Sequence, residues 1–294
     1  MYNRSSGILL HPSSLPGNHG IGDFGTAAYK FVDLLCSLKQ SLWQVLPLCP
    51  VSESYSPYQA PSAFAGNPLL LSLDLLQEEG FLVPEDLYDV PDFPLDFVVF
   101  KEVEVWKMVR LRQAFKKFEQ CSTKEQRKNY EQWCANASFW LEDYAVFAAM
   151  KIVSGGLSWT DWDKAWKFRG SFEIQHFKEQ YALEISFQQF VQWQFFRQWT
   201  ALRKYANEQG IKIIGDLPIF VAYDSAEVWS NPELFKLDEN QQLIAVAGVP
   251  PDYFSETGQH WGNPLYCWEK MRKDGYNWWK NRLRYSLEQF DFVR

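Results

Sequence analysis

Histidine is scarce in this chain. His11, His19, His176 and His260 are the whole set, and no two of them stand one helical turn apart. Without such a pair, and without an HExxH stretch, the sequence offers no zinc-binding pattern, and no metal is expected. Cysteine is sparse too: Cys36, Cys49, Cys121, Cys134 and Cys267 form an odd, scattered set with no CxxC pair. Such a set reads as reduced thiols in a cytoplasmic protein, not as a disulfide framework. No apolar run reaches membrane-spanning length, and the first residues lack the apolar stretch of a signal peptide, so no membrane partner is expected. Basic residues do not prevail. The 29 Lys and Arg face 36 Asp and Glu, a balance that argues against nucleic acid as the main partner. A P-loop and a GxSxG elbow are both missing. No cofactor is expected.

Aromatic residues are plentiful, at 17% with 14 Trp, which suits either a packed α/β core or a sugar-binding groove. Four short apolar runs read as strands: Gly7 to Leu10, Leu42 to Leu46, Ile211 to Ile214 and Phe290 to Val293. Each of the last three follows a stretch with helical spacing, namely Ala27 to Leu38, Phe187 to Asn207 and Asn277 to Gln289. Strand-helix alternation of this kind predicts a parallel sheet with crossover helices. Residues 51–186 carry few strand signals. Within them Lys101 to Gln120 and Glu125 to Ile152 read as helices, so a largely helical subdomain is expected to interrupt the repeat. The expected organisation is two βα units in 1–50, an active-face loop and helical insertion in 51–186, and a third unit with the start of a fourth strand in 187–294. Four parallel strands are too few to close a barrel of eight. The final run opens a strand whose backbone groups need a partner. The sequence therefore reads as the front part of something longer.

Three stretches carry candidate chemistry. Gly20-Ile21-Gly22-Asp23-Phe24-Gly25 matches GxGxxG, but it lies too far from the preceding strand for the tight dinucleotide turn. No acidic residue follows at the ribose position either. A glycine-supported loop entering a helix is the reading. Asp216 stands just past the third predicted strand, on the side where the active sites of parallel barrels lie; an N-cap or a structural ion pair is the alternative. Residues 247–266 are rich in Gly, Pro and aromatics without a period, which predicts a binding loop or lid. Tyr253, Phe254 and Trp261 could stack on sugar rings there, with Asp252 and Asn263 reaching hydroxyls. Tyr58, in Ser-Pro-Tyr-Gln after the second strand, is either a stacking platform or a buried structural tyrosine. The tryptophans Trp133, Trp140, Trp159, Trp162, Trp166, Trp193 and Trp199 have spacings that suit packing, and most read as core.

The stretches GILLHPSSLPG, LWQVLPLCP, SPYQAPSAFAGNPLLLSL, WLEDYAVFAAMK, IIGDLPIFVAYDSAEVW and AGVPPDYFSETGQHWGNPLY, in this order, resemble the amylomaltase (4-α-glucanotransferase, disproportionating enzyme) family. The resemblance implies the N-terminal half of a (β/α)8 TIM barrel, about four strands, with a largely helical inserted subdomain. It implies transfer of α-1,4-glucan segments between maltodextrins by a retaining mechanism with a covalent glucosyl-enzyme. Tyr58 then resembles the platform beside the cleaved sugar, Asp216 the supporting acid, and Arg294 the arginine beside the nucleophile. Asp252, Trp261 and Asn263 resemble members of the loop over the acceptor side. One departure is visible: where the family often has a tyrosine of a second glucan site, this chain has Glu53, and Tyr55 lies two residues later. In the family, the segment resembling Phe290 to Arg294 continues as Ile-Asp-His-Phe-Arg-Gly, whose Asp is the nucleophile, and the acid/base follows later. The 294 residues by themselves are thus expected to lack transferase activity, with a maltodextrin as ligand and a C-terminal complement as partner if the gene is split. The alternatives are a non-catalytic glucan-binding or inert fragment, or an amylase-type hydrolase.

Overall fold

Each of the four apolar runs forms a strand in the computed structural model, which describes residues 4–52 and 54–294. Glu53 lies outside the described residues. The strands in chain order are β1 Gly7–Leu9, β2 Leu42–Gln44, β3 Lys212–Gly215, β4 Val246–Val249, β5 Gln259–Pro264 and β6 Phe292–Val293. One sheet has the order β1-β2-β3-β6, and every neighbouring pair is parallel. Its register puts Ile8 beside Trp43 and Trp43 beside Ile213. Trp43 and Ile213 are fully buried, the burial that a helix-covered parallel sheet imposes on its middle strands. Among the described residues neither β1 nor β6 has a strand on its outer side.

The helices follow from periodicity. In α1 (Thr26–Ser37), which links β1 to β2, the buried residues Ala28, Val32 and Leu35 recur at helical spacing. A string of helices then precedes the return to the sheet: α2 (Leu73–Glu78), α3 (Phe100–Cys121), α4 (Lys124–Asn136), α5 (Ser138–Val153), α6 (Lys164–Lys167) and α7 (Ser171–Gln180). The helix expected over 125–152 is two helices that meet at Ala137, which caps both. No Gly or Pro marks that break. What locates it is packing: Trp133 and Trp140, on opposite sides of the joint, meet edge to face at 6.4 Å. The long helix α8 (Ala182–Glu208) leads into β3 and starts ahead of the expected residue 187. It is apolar on most sides, with Phe187, Phe190, Trp193 and Trp199 all buried. One core cluster joins these residues to Trp43 of the sheet and to Leu111, Phe118 and Phe147 of α3 and α5. The helices between β2 and β3 therefore share the sheet's core. Trp140, Trp159, Trp162, Trp193 and Trp199 are buried in it, as expected, and Trp133 and Trp166 pack against it.

Three short or late helices complete the chain: α9 (Ala226–Ser230), α10 (Trp268–Lys273) and α11 (Asn277–Gln289), which leads into β6. Asp291 fixes β6 against β3. Its Oδ2 accepts from the Ile213 amide at 2.8 Å and from Asn207 Nδ2 at 2.9 Å, and its Oδ1 accepts from Arg203 at 3.1 Å. No helix among the described residues is long and apolar enough to cross a membrane.

The GxGxxG stretch is a structural turn. Asp23 Oδ1 accepts from the amide of Gly25, the N-cap of α1, at 2.9 Å. Its other oxygen faces the ammonium of Lys107, 3.6 Å away on α3. That lysine is fully buried and donates to the carbonyls of Leu69 at 2.8 Å and Leu71 at 2.7 Å. Burial pushes the Lys107 ammonium down and the Asp23 carboxyl up from their ordinary values. A buried cation thus ties α3 to the first βα turn.

Candidate functional site

Parallel strands bring their carboxyl ends, and the loops that leave them, to one side of the sheet. Asp216 immediately follows β3, and Tyr58 lies on the loop after β2. Arg294 directly follows β6. The three side chains meet. Tyr58 donates its hydroxyl to Asp216 Oδ2 at 2.6 Å. Arg294 donates through Nε to Oδ1 at 3.2 Å and through Nη2 to Oδ2 at 2.9 Å, a two-pronged grip that suits a planar guanidinium. The ladder supports it from behind, since the Arg294 amide donates to the Gly215 carbonyl at 2.9 Å and the Leu217 amide to the Arg294 carbonyl at 3.2 Å. Gly215 is required beneath: a Cβ there would lie 2.3 Å from the Phe290 ring.

Burial and charge differ sharply within this cluster. Asp216 is 9% exposed, while Tyr58 is 40% exposed. The Tyr58 phenol is raised above its ordinary value, first by burial and then by the hydrogen bond to Asp216. The Arg294 guanidinium is raised by its hydrogen bonds to Asp216. The result is a neutral, half-open aromatic ring braced by a carboxyl group whose two oxygens are both engaged. No other carboxyl group joins this cluster by hydrogen bond or ion pair among the described residues.

The stretch 247–266, expected to lack regular structure, contains an antiparallel hairpin: β4 pairs with β5, with a register shift between Val246 and Gly248. Its sequence hid this because β5 is exposed along most of its length, so no burial alternation arises. At its tip Tyr253 and Phe254 are 98% and 88% exposed, meeting edge to face at 5.7 Å. Asp252 Oδ1 accepts from the amides of Phe254 and Ser255, each at 2.9 Å, so this carboxyl shapes the tip turn. Trp261 is half open and its ring lies 6.3 Å from that of Phe220. Asn263 is buried, with Nδ2 donating to the Val221 carbonyl at 2.8 Å and Oδ1 accepting from Gln59 at 3.1 Å. The structure thus brings Tyr58, Asp216 and Arg294 together, joins Trp261 and Asn263 to them through Gln59, and holds Asp252 apart in the turn.

Residues that the sequence reading passed over support the cluster. Arg282 of α11, 1% exposed, donates to the carbonyls of Pro218 and Ile219 and, at 3.2 Å, to the Tyr266 hydroxyl. Tyr266 in turn donates to the Ile219 carbonyl at 2.7 Å. Together they hold the turn after Asp216. In the sequence Arg282 looks like one more charge on a polar helix, and nothing marks it as buried. Cys49 lines the apolar cavity behind Asp216. Burial pushes its thiol up to about 12, which disqualifies it as a nucleophile. No group of three or more His, Cys, Asp or Glu that could hold a metal ion is found among the described residues.

His11, just past β1, adds a pH dependence. Burial pushes its imidazole down to about 4, with the Pro47 carbonyl opposing part of that shift. A folded-state value below the unfolded one means that stability is present above pH 6.5 and is lost as pH falls towards 4. The expected contribution is about 3 kcal/mol. Urea midpoints at pH 7 and pH 4 should converge in His11→Asn relative to the parent protein.

Comparison with known proteins follows the same lines. The 4-alpha-glucanotransferase family matches residues 10–294. A 4-alpha-glucanotransferase of Thermus thermophilus is 47% identical over 291 residues, covering 99% of this chain and 57% of that protein. One from Synechocystis sp. is 45% identical, with 99% and 58% covered. Among solved structures, an amylomaltase from Streptococcus agalactiae in complex with acarbose superposes with a TM-score of 0.96 at 38% identity, over 99% of this chain and 59% of that one. An amylomaltase from Corynebacterium glutamicum shares the fold at a TM-score of 0.78 and 21% identity, with 99% and 40% covered. The chain spans a little over half the length of the curated relatives it matches.

Proposed function

The chain belongs to the 4-alpha-glucanotransferase family, and from that premise we propose that its residues form the glucan-positioning face of an enzyme that transfers α-1,4-glucan segments between maltodextrins. The observation that carries this reading is the Tyr58–Asp216–Arg294 cluster standing beside a hairpin tipped with aromatics. A neutral, half-open tyrosine ring is a platform for a sugar face, and the braced Asp216 keeps that ring from rotating away. Tyr253, Phe254 and Trp261 offer further apolar faces on the acceptor side, with Asp252 shaping their turn and Asn263 anchoring their base. Covering a covalent glucosyl intermediate with such a hairpin would exclude water and favour a sugar hydroxyl as acceptor.

Bond cleavage needs more. A retaining mechanism uses two carboxyl groups about 5 Å apart, one as nucleophile and one as proton donor. The cluster holds one, and both its oxygens are engaged. In this proposal the nucleophile and the acid/base belong to segments outside residues 1–294. They sit in further βα units that complete a (β/α)8 barrel against the open edges of β1 and β6. The greater length of the relatives supports this, as do exposed leucines Leu34 on α1, Leu38 at its C-cap, and Leu283 and Leu287 on α11. Five unpaired thiols support a cytoplasmic setting. The 294 residues by themselves then bind a glucan without rearranging it. Incubation with maltotriose should yield no glucose and no longer oligomers. Products that scale with pure protein would refute this division of labour.

A further inference from the structure

Gln59 directly follows the platform residue Tyr58, and its side chain spans to the hairpin. Its Nε2 lies 3.1 Å from the Trp261 carbonyl and 3.1 Å from Asn263 Oδ1. Asn263 Nδ2 lies 2.8 Å from the carbonyl of Val221, on the chain that leaves β3. The orientation of both amides is dictated by chemistry. Backbone carbonyls only accept, so Trp261 requires the NH2 of Gln59, and Val221 requires the NH2 of Asn263. Asn263 Oδ1 is then left as an acceptor, and it meets the second N–H of Gln59. Both donors of one amide are used, on two partners two residues apart. Gly262, at φ +74°, lies between those partners and supplies the left-handed bend that lets a carbonyl and a side chain converge on one group.

The rest of the hairpin is anchored elsewhere. Its base is tied through the Lys236 amide to the Leu265 carbonyl at 2.8 Å and through a bridge between Phe235 and Tyr266. The tip turn is held by bonds within itself, from Asp252 and Ser255. Between base and tip, among the described residues, the side chain of the β2 loop that hydrogen-bonds to the hairpin is that of Gln59.

We infer that Gln59 is a positioning residue: its carboxamide latches the hairpin to the Tyr58 loop and so fixes the spacing between the Tyr58 ring and the Trp261 indole, which grip one glucan together. The inference rests on the glucan-binding reading above and adds to it a residue that touches no sugar. Without the latch, the hairpin and the indole it carries shift relative to Tyr58, and the indole's stacking no longer contributes to a ligand already seated there.

Gln59→Glu is the informative substitution. It keeps the shape, removes the donors and sets oxygens against two acceptors. Hydrogen exchange of the purified chain should show the β4–β5 amides exchanging about tenfold faster in the variant, with β1 to β3 unchanged. Equal exchange in the hairpin overturns the latch. A second readout separates positioning from mere support. Trp261→Ala should weaken maltoheptaose binding about tenfold in the parent and less than about twofold in the Gln59→Glu background. The same loss in both backgrounds overturns the coupling. A chain that binds no maltoheptaose in any form refutes the glucan reading, and the exchange data then decide on the latch alone.

Discussion

Lys107→Ala should destabilise the chain by about 3–5 kcal/mol, read as a lower urea midpoint with an unchanged slope. The lysine is fully buried on α3, and its ammonium donates to the carbonyls of Leu69 and Leu71 and faces Asp23. Truncation would strand two buried carbonyls, leave the Asp23 carboxyl without its cation and open a cavity. Each of these is costly, and all three act together. Lys107→Met restores most of the volume and should recover part of the loss. Because burial already drives both partners towards their neutral forms, the double change Lys107→Met with Asp23→Asn should cost less than the sum of the single changes. Full additivity would show that the two groups do not act as a pair.

Asp216→Ala should weaken maltoheptaose binding about a hundredfold while lowering stability by only about 1–2 kcal/mol. The asymmetry follows from exposure. Arg294 has a side chain 60% exposed and can return to water, so the ion pair itself contributes little to folding. Tyr58, however, loses the acceptor 2.6 Å from its hydroxyl and with it the brace that orients its ring. Asp216→Asn keeps an acceptor for Tyr58 but loses the charge opposite Arg294, and an intermediate affinity is expected. A large fall in stability with unchanged binding would recast Asp216 as a structural residue.

Much of the scaffold was legible because burial writes itself into sequence. Trp43 and Ile213 sit in short apolar runs and become the buried middle of the sheet. The crossover helices showed in the spacing of Ala28, Val32 and Leu35 and in the aromatic stripe of α8. The hairpin was not legible as a hairpin, since the first four residues of β5 are all exposed and carry no alternation, and Gly, Pro and polar residues occupy that strand. The joint at Ala137 was invisible because no breaker marks it. Tyr58 and Asp216 each stood out as residues past a strand end, but their contact spans 158 residues and depends on the order of the sheet. The role expected of Arg294 came from family resemblance, for no local pattern distinguishes it. Gln59 gave no signal, as a single amide next to a tyrosine is ordinary until the Trp261 carbonyl is placed beside it.

The central claim is that this face recognises an α-1,4-glucan through Tyr58 and its brace. Calorimetric titration of the purified chain with maltoheptaose, with cellohexaose as the β-linked control, tests it most directly. The account predicts saturable binding of maltoheptaose, lost in Tyr58→Ala and weakened about a hundredfold in Asp216→Ala, and no binding of cellohexaose. No binding of maltoheptaose, or equal binding of both sugars that survives in the two variants, would contradict it.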